Sequence, residues 1–285
     1  MNIERDADQW TTVIKPVSGW FEIHLSEIWK YRDLIMLFVR RDFVSVYKQT
    51  ILGPLWFLIQ PIFTTIVFTV IFGQIAKIPT DGLPQPLFYL SGIVGWNYFS
   101  NCLNKTSDTF VSYAHIFGKV WFPRLTVPIS NVISNLITFA IQFALFLCFY
   151  AYFYLKGAAI AVSPMIVLFP FLLLQMAALG LGFGIIVSSL TTKYRDLSQL
   201  VGFGVQLWMY ATPIVYPASQ IPAKYQWIIA LNPMAPIIEA FRYAFLGVGT
   251  VYPWQMGLSA AITMLVLLSG IVLFSRIEKS FMDTV

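Results

Sequence analysis

Charged residues divide this 285-residue chain into long uncharged windows. Residues 49–76, 82–104, 125–155, 157–192, 197–223 and 243–275 contain no Asp, Glu, Lys or Arg, and run to 28, 23, 31, 36, 27 and 33 residues. A helix needs about 20 apolar residues to cross a bilayer core, so six transmembrane helices are predicted. A seventh window, 225–238, has 14 residues and is too short to span, which predicts an interfacial or re-entrant element between spans five and six. Backbone at lipid depth must satisfy its own hydrogen bonds, so the predicted fold class is an all-α polytopic membrane protein. An even number of spans places both termini on one side.

Composition sharpens this reading. The chain is 58% hydrophobic and 11% charged, against about a quarter charged for soluble domains, and its mean hydropathy is +0.73. Of 18 Lys and Arg, 14 fall on the side of the N-terminus and four, Lys77, Lys156, Lys224 and Arg242, on the other. Basic loops stay inside during insertion, so both termini are expected in the cytoplasm. The net charge of +5 is then a topology signal with a lipid-surface contribution, and no nucleic-acid partner is expected. No signal peptide is read in the mixed, charged first 48 residues. Cys102 and Cys148 fall inside predicted spans and read as packing residues rather than a disulfide.

Three parts are expected: a cytoplasmic N-terminal segment (1–52), a six-span transmembrane domain (53–276) and a cytoplasmic tail (277–285). The first is amphipathic: Trp20, Phe21, Ile23, Ile28, Trp29, Leu34, Leu37, Phe38, Phe43 and Tyr47 interleave with Lys30, Arg32, Arg40, Arg41 and Lys48. Such a helix lies along the inner leaflet, where its arginines meet anionic lipid or a phosphate-bearing head group. It serves either as a surface anchor for the first span or as a place where substrate is taken up. Gly53 and Pro54 mark the change from surface helix to span.

Several chemistries are missing. No ionisable residue sits in a predicted span, as an ion-coupled carrier would require; Glu239, alone in an apolar stretch, has Arg242 three residues on as a helix-face partner. There is no phosphate-binding P-loop, and no cofactor is expected on this chain. His24 and His115 are 91 residues apart with no neighbours at metal-ligand spacing, so neither metal nor catalytic residues are predicted. A transport body driven from elsewhere remains. Its Trp56, Tyr89, Trp96, Tyr98, Trp208 and Tyr210 are candidates to line a sugar path, with interfacial belt or packing as the alternative. Ala177, Ala178, Gly180, Gly182 and Gly184 would let helices approach closely, either within the chain or between two copies. Six of the 16 prolines fall in residues 213–253, which excludes a continuous helix there.

The loops are more specific. Arg40, Arg41, Asp42 and Phe43, then Tyr47, Lys48 and the run Gln49 to Trp56, with Pro61 beyond, resemble the start of type-2 ABC transporter permeases that export polysaccharides. Phe117, Gly118, Lys119, Val120, Trp121, Phe122, Pro123 and Arg124 resemble that family's first cytoplasmic coupling segment. Lys193, Tyr194, Arg195, Asp196 and Leu197 resemble the second, with Lys193 where the family more often has arginine. Pro213 to Pro217, with Tyr216, then Asn232, Pro233 and Arg242, resemble the segment between the last two spans; Glu278, Phe281 and Asp283 resemble the tail.

The resemblance implies half of a pore in the bacterial inner membrane. Two copies would pair as a homodimer, and two separate P-loop ABC ATPases would dock beneath, carrying ATP and Mg. His115, Phe117, Lys119, Phe122, Pro123 and Arg124, with Lys193, Tyr194, Arg195 and Asp196, would contact those ATPases beside the interface helix at Arg40, Arg41, Tyr47 and Lys48. Pro213, Tyr216, Asn232, Pro233, Glu239 and Arg242 would belong to an outer gate. The implied cargo is a lipid-linked polysaccharide, O-antigen first, then teichoic acid or capsular polymer. The alternatives are a small-molecule or drug exporter of the same fold, a membrane-embedded enzyme acting on lipid-linked sugars, and a scaffold.

Overall fold

The computed structural model describes residues 25–48, 52–191 and 196–280. These residues form helices and connecting turns, with no strand among them. A short helix, α1 (Leu25–Lys30), and a longer one, α2 (Arg32–Lys48), come first. Pro54 in the opening turn then starts α3 (Trp56–Phe68), a place where its missing N–H costs nothing. The rod continues through a π-helical stretch, Thr69–Ile75. Next come α4 (Gln85–Ser107), the short α5 (Thr109–Phe117), α6 (Thr126–Leu155) and α7 (Phe169–Thr191). The remaining helices are α8 (Leu197–Tyr210), α9 (Gln226–Leu231), α10 (Met234–Leu246) and α11 (Pro253–Ser280).

Four stretches among the described residues are long and apolar enough to cross a membrane: Gly53–Ile75, Thr126–Leu155, Pro164–Thr191 and Pro253–Ile277. They correspond to the first, third, fourth and sixth expected spans. The second expected span is α4, whose Gln85, Asn97, Asn101, Asn104 and Lys105 make it too polar to qualify. It is the central helix, packed against α3, α6, α7 and α10 and mostly buried, and these polar residues are the ones it leaves part-exposed or exposed, with Asn97 bonded to Gln142 of α6. At 23 residues it is about 34 Å long, enough to cross. The fifth expected span is realised only as α8, whose 14 residues make about 21 Å of helix.

Small residues set the spacing at the centre. A Cβ on Gly180 would lie 2.7 Å from the Cys102 Cβ, and one on Gly184 would lie 2.5 Å from the Thr106 Cβ, so both glycines let α7 seat against α4. Gly182 faces α11 instead, where a Cβ would meet Leu267 at 3.0 Å. These three glycines therefore pack helices within one chain. Cys102 is buried and Cys148 exposed, and both thiols are free.

The proline-rich segment is broken as expected. Two 3-10 turns, Ala218–Gln220 and Ala223–Tyr225, lead into α9, and Asn232 and Pro233 separate α9 from α10. Of this segment, α10 is almost wholly buried against α4, α7 and α11. It ends at Gly247, whose φ of 72° is left-handed and where a Cβ would come within 2.8 Å of the Ala161 carbonyl oxygen.

Candidate functional site

Two apolar clusters divide the molecule. The larger fills the helical bundle around α4, α7 and α10. The smaller joins Ile35, Phe38 and Val39 of α2 to Phe110 and Phe117 of α5, Phe122 and Leu125 beyond it, and Phe274 of α11. The Phe110 and Phe274 rings stack at 4.6 Å, and Phe122 lies 6.0 Å from Phe38 and 5.6 Å from Phe117. Here α2 and α5 share one aromatic base.

Cations reinforce that base. The Arg41 guanidinium lies 5.0 Å from the Phe38 ring and 5.1 Å from the Tyr113 ring, and it donates to the Tyr113 hydroxyl and, at 2.7 Å, to the Asp42 carboxylate. Burial raises the Tyr113 phenol above its ordinary value, so it stays neutral. Arg124 sits 5.5 Å over the Phe117 ring. Two of the arginines singled out from the sequence, Arg41 and Arg124, thus contact rings of their own chain, and Arg40, Arg41, Lys48, His115, Lys119 and Asp196 are exposed. Phe117 and Phe122 are buried and Pro123 is partly so. Val111, His115 and Lys119, at helical spacing, with Val120 and Trp121, give α5 and its following turn an outward face. Lys193, Tyr194 and Arg195 lie outside the described residues, as do residues 1–24, Phe281, Asp283 and the side chains of Tyr47 and Glu278.

At the opposite end, Arg242 is completely buried, a costly position for a charge unless every donor is used. Its Nη1 donates to Glu239 Oε1 at 2.7 Å, Nη2 to the Pro213 carbonyl at 3.0 Å and Nε to Ser91 Oγ at 3.5 Å. The guanidinium carbon lies 3.8 Å from the Phe88 ring centroid. Glu239 Oε2 accepts from the Thr250 backbone N–H at 3.3 Å. One ion pair therefore ties α10 to α4, to the turn after α8 and to the turn before α11.

Asn232 makes a second tie. Its side-chain nitrogen donates to Thr212 Oγ1 at 2.9 Å and to the Ala211 carbonyl at 3.2 Å, while its oxygen accepts from Trp208 Nε1 at 3.0 Å and from the Met234 N–H at 3.1 Å. Pro213 and Pro233 are buried beside these ties and Tyr216 is partly buried. All six outer-gate candidates thus gather at one end, around contacts whose other partners, Phe88, Ser91 and Thr250, carry no signal in the sequence.

The aromatic path candidates separate. Tyr89, Trp96 and Tyr98 are buried in the chain's own core, and Trp208 packs edge-on to Trp96 and Phe99. Trp56 and Tyr210 are 52% and 45% exposed, so these two offer surface to another molecule. A row that sequence reasoning passed over is Asn131, Asn135, Thr138 and Gln142, buried on one face of α6. Gln142 accepts from Asn97 and donates to the Phe57 carbonyl, and Asn131 donates to the Lys105 carbonyl. Their helical spacing inside a charge-free window was the available signal.

Comparison with known proteins adds the following. The family described as "ABC-2 type transporter" matches residues 33–246. An O-antigen export system permease protein RfbA of Klebsiella pneumoniae is 26% identical over 251 residues, covering 88% of this chain and 94% of that protein. A protein of the same description from Myxococcus xanthus is 25% identical over 224 residues, covering 77% and 82%.

Proposed function

Because this chain belongs to the ABC-2 type transporter family, we propose that it is the membrane-spanning permease subunit of an ATP-driven exporter of O-antigen. It is a multi-pass membrane protein and a transport subunit rather than an enzyme. The observation that carries the cargo assignment is similarity to O-antigen export permeases along nearly the full length of both chains.

In this reading α4 and α8 complete a set of six spans, and both termini face the cytoplasm of a cell with a bacterial inner membrane. The α2 and α5 end is then cytoplasmic and the hairpin of α9 and α10 faces outward. Residues 1–52, 53–276 and 277–285 act as interface segment, transport body and tail. The chain binds no cofactor of its own. Two copies pair, and each is driven by a separate P-loop ABC ATPase that carries ATP and Mg and grips the outward face of α5 with Asp196 and its neighbours. The shared aromatic base supports this: a push on α5 reaches α2 and α11 through rings in contact. Lipid-linked polysaccharide passes between the copies, along surfaces that include Trp56 and Tyr210.

Deleting the gene in its host and fractionating the cells tests the proposal. The expected result is loss of surface O-antigen with lipid-linked polymer retained on the cytoplasmic side of the inner membrane. Normal surface polymer in a host with no second exporter would overturn the cargo assignment and favour a small-molecule exporter.

A further inference from the structure

Among the hydrogen bonds that hold the segment between α8 and α11 to the rest of the chain, which include Ser259 Oγ to the Pro233 carbonyl and the Ser163 N–H to the Ala244 carbonyl, three side-chain ties differ in burial. The ties through Arg242 and Asn232 run through buried or partly buried groups. The third joins the hairpin to the α3–α4 connection: Ser219 Oγ donates to the Asp81 carboxylate, at 2.9 Å from Oδ1 and 3.0 Å from Oδ2. Ser219 is exposed and Asp81 only half-buried, so water can replace this contact as it breaks.

The two sides of the contact are built differently. Asp81 sits in a turn in which the Leu83 N–H donates to the Thr80 carbonyl at 3.0 Å, with φ of 50° at Asp81 and 83° at Gly82. Positive φ at both central positions is the pattern of a type I′ turn, which Asp-Gly adopts readily. Thr80 Oγ1 also donates to the Leu83 carbonyl, at 2.6 Å. The carboxylate is therefore presented from a stiff pedestal. Just upstream, the backbone is irregular. Residues Thr69–Ile75 are π-helical, and Lys77 has a φ of 53°, a left-handed conformation that its side chain does not favour. Val70, Ile71 and Ile75 are exposed, so one face of this outer part of the first span lacks cover within the chain, while Phe72 and Gly73 face the core. A strained joint thus separates a loosely covered span from a rigid pedestal that grips the hairpin.

We propose that Asp81 and Ser219 form a latch that holds the outer hairpin against the α3–α4 connection and opens in each transport cycle, with residues 69–77 as its hinge. The hairpin keeps its buried ties to α4 and α8 and moves with them, so the water-accessible tie is the one that parts. This rests on the export reading above for the direction of opening, but the contact itself does not depend on the cargo.

The test is an Asp81→Cys, Ser219→Cys pair in a Cys148→Ser background, in membranes that hold the chain with its ATPase. A short bis-thiol reagent should bridge the pair in the resting state, and ATP should slow bridging severalfold. The bridged protein should lose export and regain it when the bridge is reduced. Equal bridging with and without ATP, or undiminished export by the bridged protein, would overturn the latch. Lack of O-antigen export by the unbridged pair and its parent alike defeats the cargo assignment instead, since the bridging rates still decide the latch.

Discussion

At the α2 and α5 end, Arg41 and Arg124 rest on the faces of aromatic rings, and Arg41 keeps 43% of its side chain exposed. At the hairpin end, Arg242 is sealed in the bundle and spends its donors on a carboxylate, a carbonyl and a hydroxyl. The difference teaches what each end is built to do. Ring faces attract a cation over a range of positions, so at the first end only the Arg41 hydrogen bond to Tyr113 has a set geometry and the ring contacts allow a shift. A buried ion pair has one good geometry and a large penalty for leaving it, so the second end holds α10, α4 and the neighbouring turns together as one piece.

The largest effect should come from breaking the sealed pair. Arg242→Ala leaves Glu239 buried without its partner, at a cost of about 3–5 kcal/mol, and should lower the melting temperature in detergent or abolish folding. Replacing both, Arg242→Met with Glu239→Leu, should recover most of the stability. A single variant as stable as the parent would mean that the pair does not hold this end.

Next in size is the close seat of α7 on α4. Gly184→Val places side-chain atoms where a single Cβ already comes within 2.5 Å of Thr106, and overpacking of this kind costs about 1–3 kcal/mol. Gly202→Ala, on α8 with nothing within 4 Å, should be neutral in the same melting assay. Similar losses at the two glycines would remove the distinction between packed and open faces.

The helices could be read from the sequence because their signal is local and repeated. Charge-free windows located the membrane-crossing stretches, and clustered prolines located the breaks around Asn232 and Pro233. The central helix fills the second expected span, but its polarity keeps it out of the stretches apolar enough to cross, and only the fold shows Asn97 paired with Gln142. Pair contacts were harder. Glu239 and Arg242 are legible as neighbours at i and i+3, but Ser91 is 151 positions away from Arg242, and nothing at Ser91 marks it as a partner. Likewise the ring contacts of Arg41 with Tyr113 and of Arg124 with Phe117 join residues whose pairing nothing in the sequence marks.

The smallest stability effect should accompany a functional one. Arg41→Ala removes ring contacts and a hydrogen bond at a part-exposed site, worth about 1 kcal/mol, so the melting temperature should move by only a few degrees. Stimulation of the proposed partner ATPase by the permease should fall, because α2 and α5 lose the one cation that bridges the Phe38 and Tyr113 rings while their aromatic packing remains. A drop in stability with unchanged stimulation would make Arg41 a structural residue alone.

The most direct test uses inverted inner-membrane vesicles holding the chain, its ATPase and lipid-linked O-antigen. Adding ATP should move the polymer into the vesicle lumen, and a charge reversal on the α5 face, Lys119→Glu, should stop this without loss of the folded permease. Polymer that stays outside with the unaltered chain present and ATP being hydrolysed would contradict export by this protein.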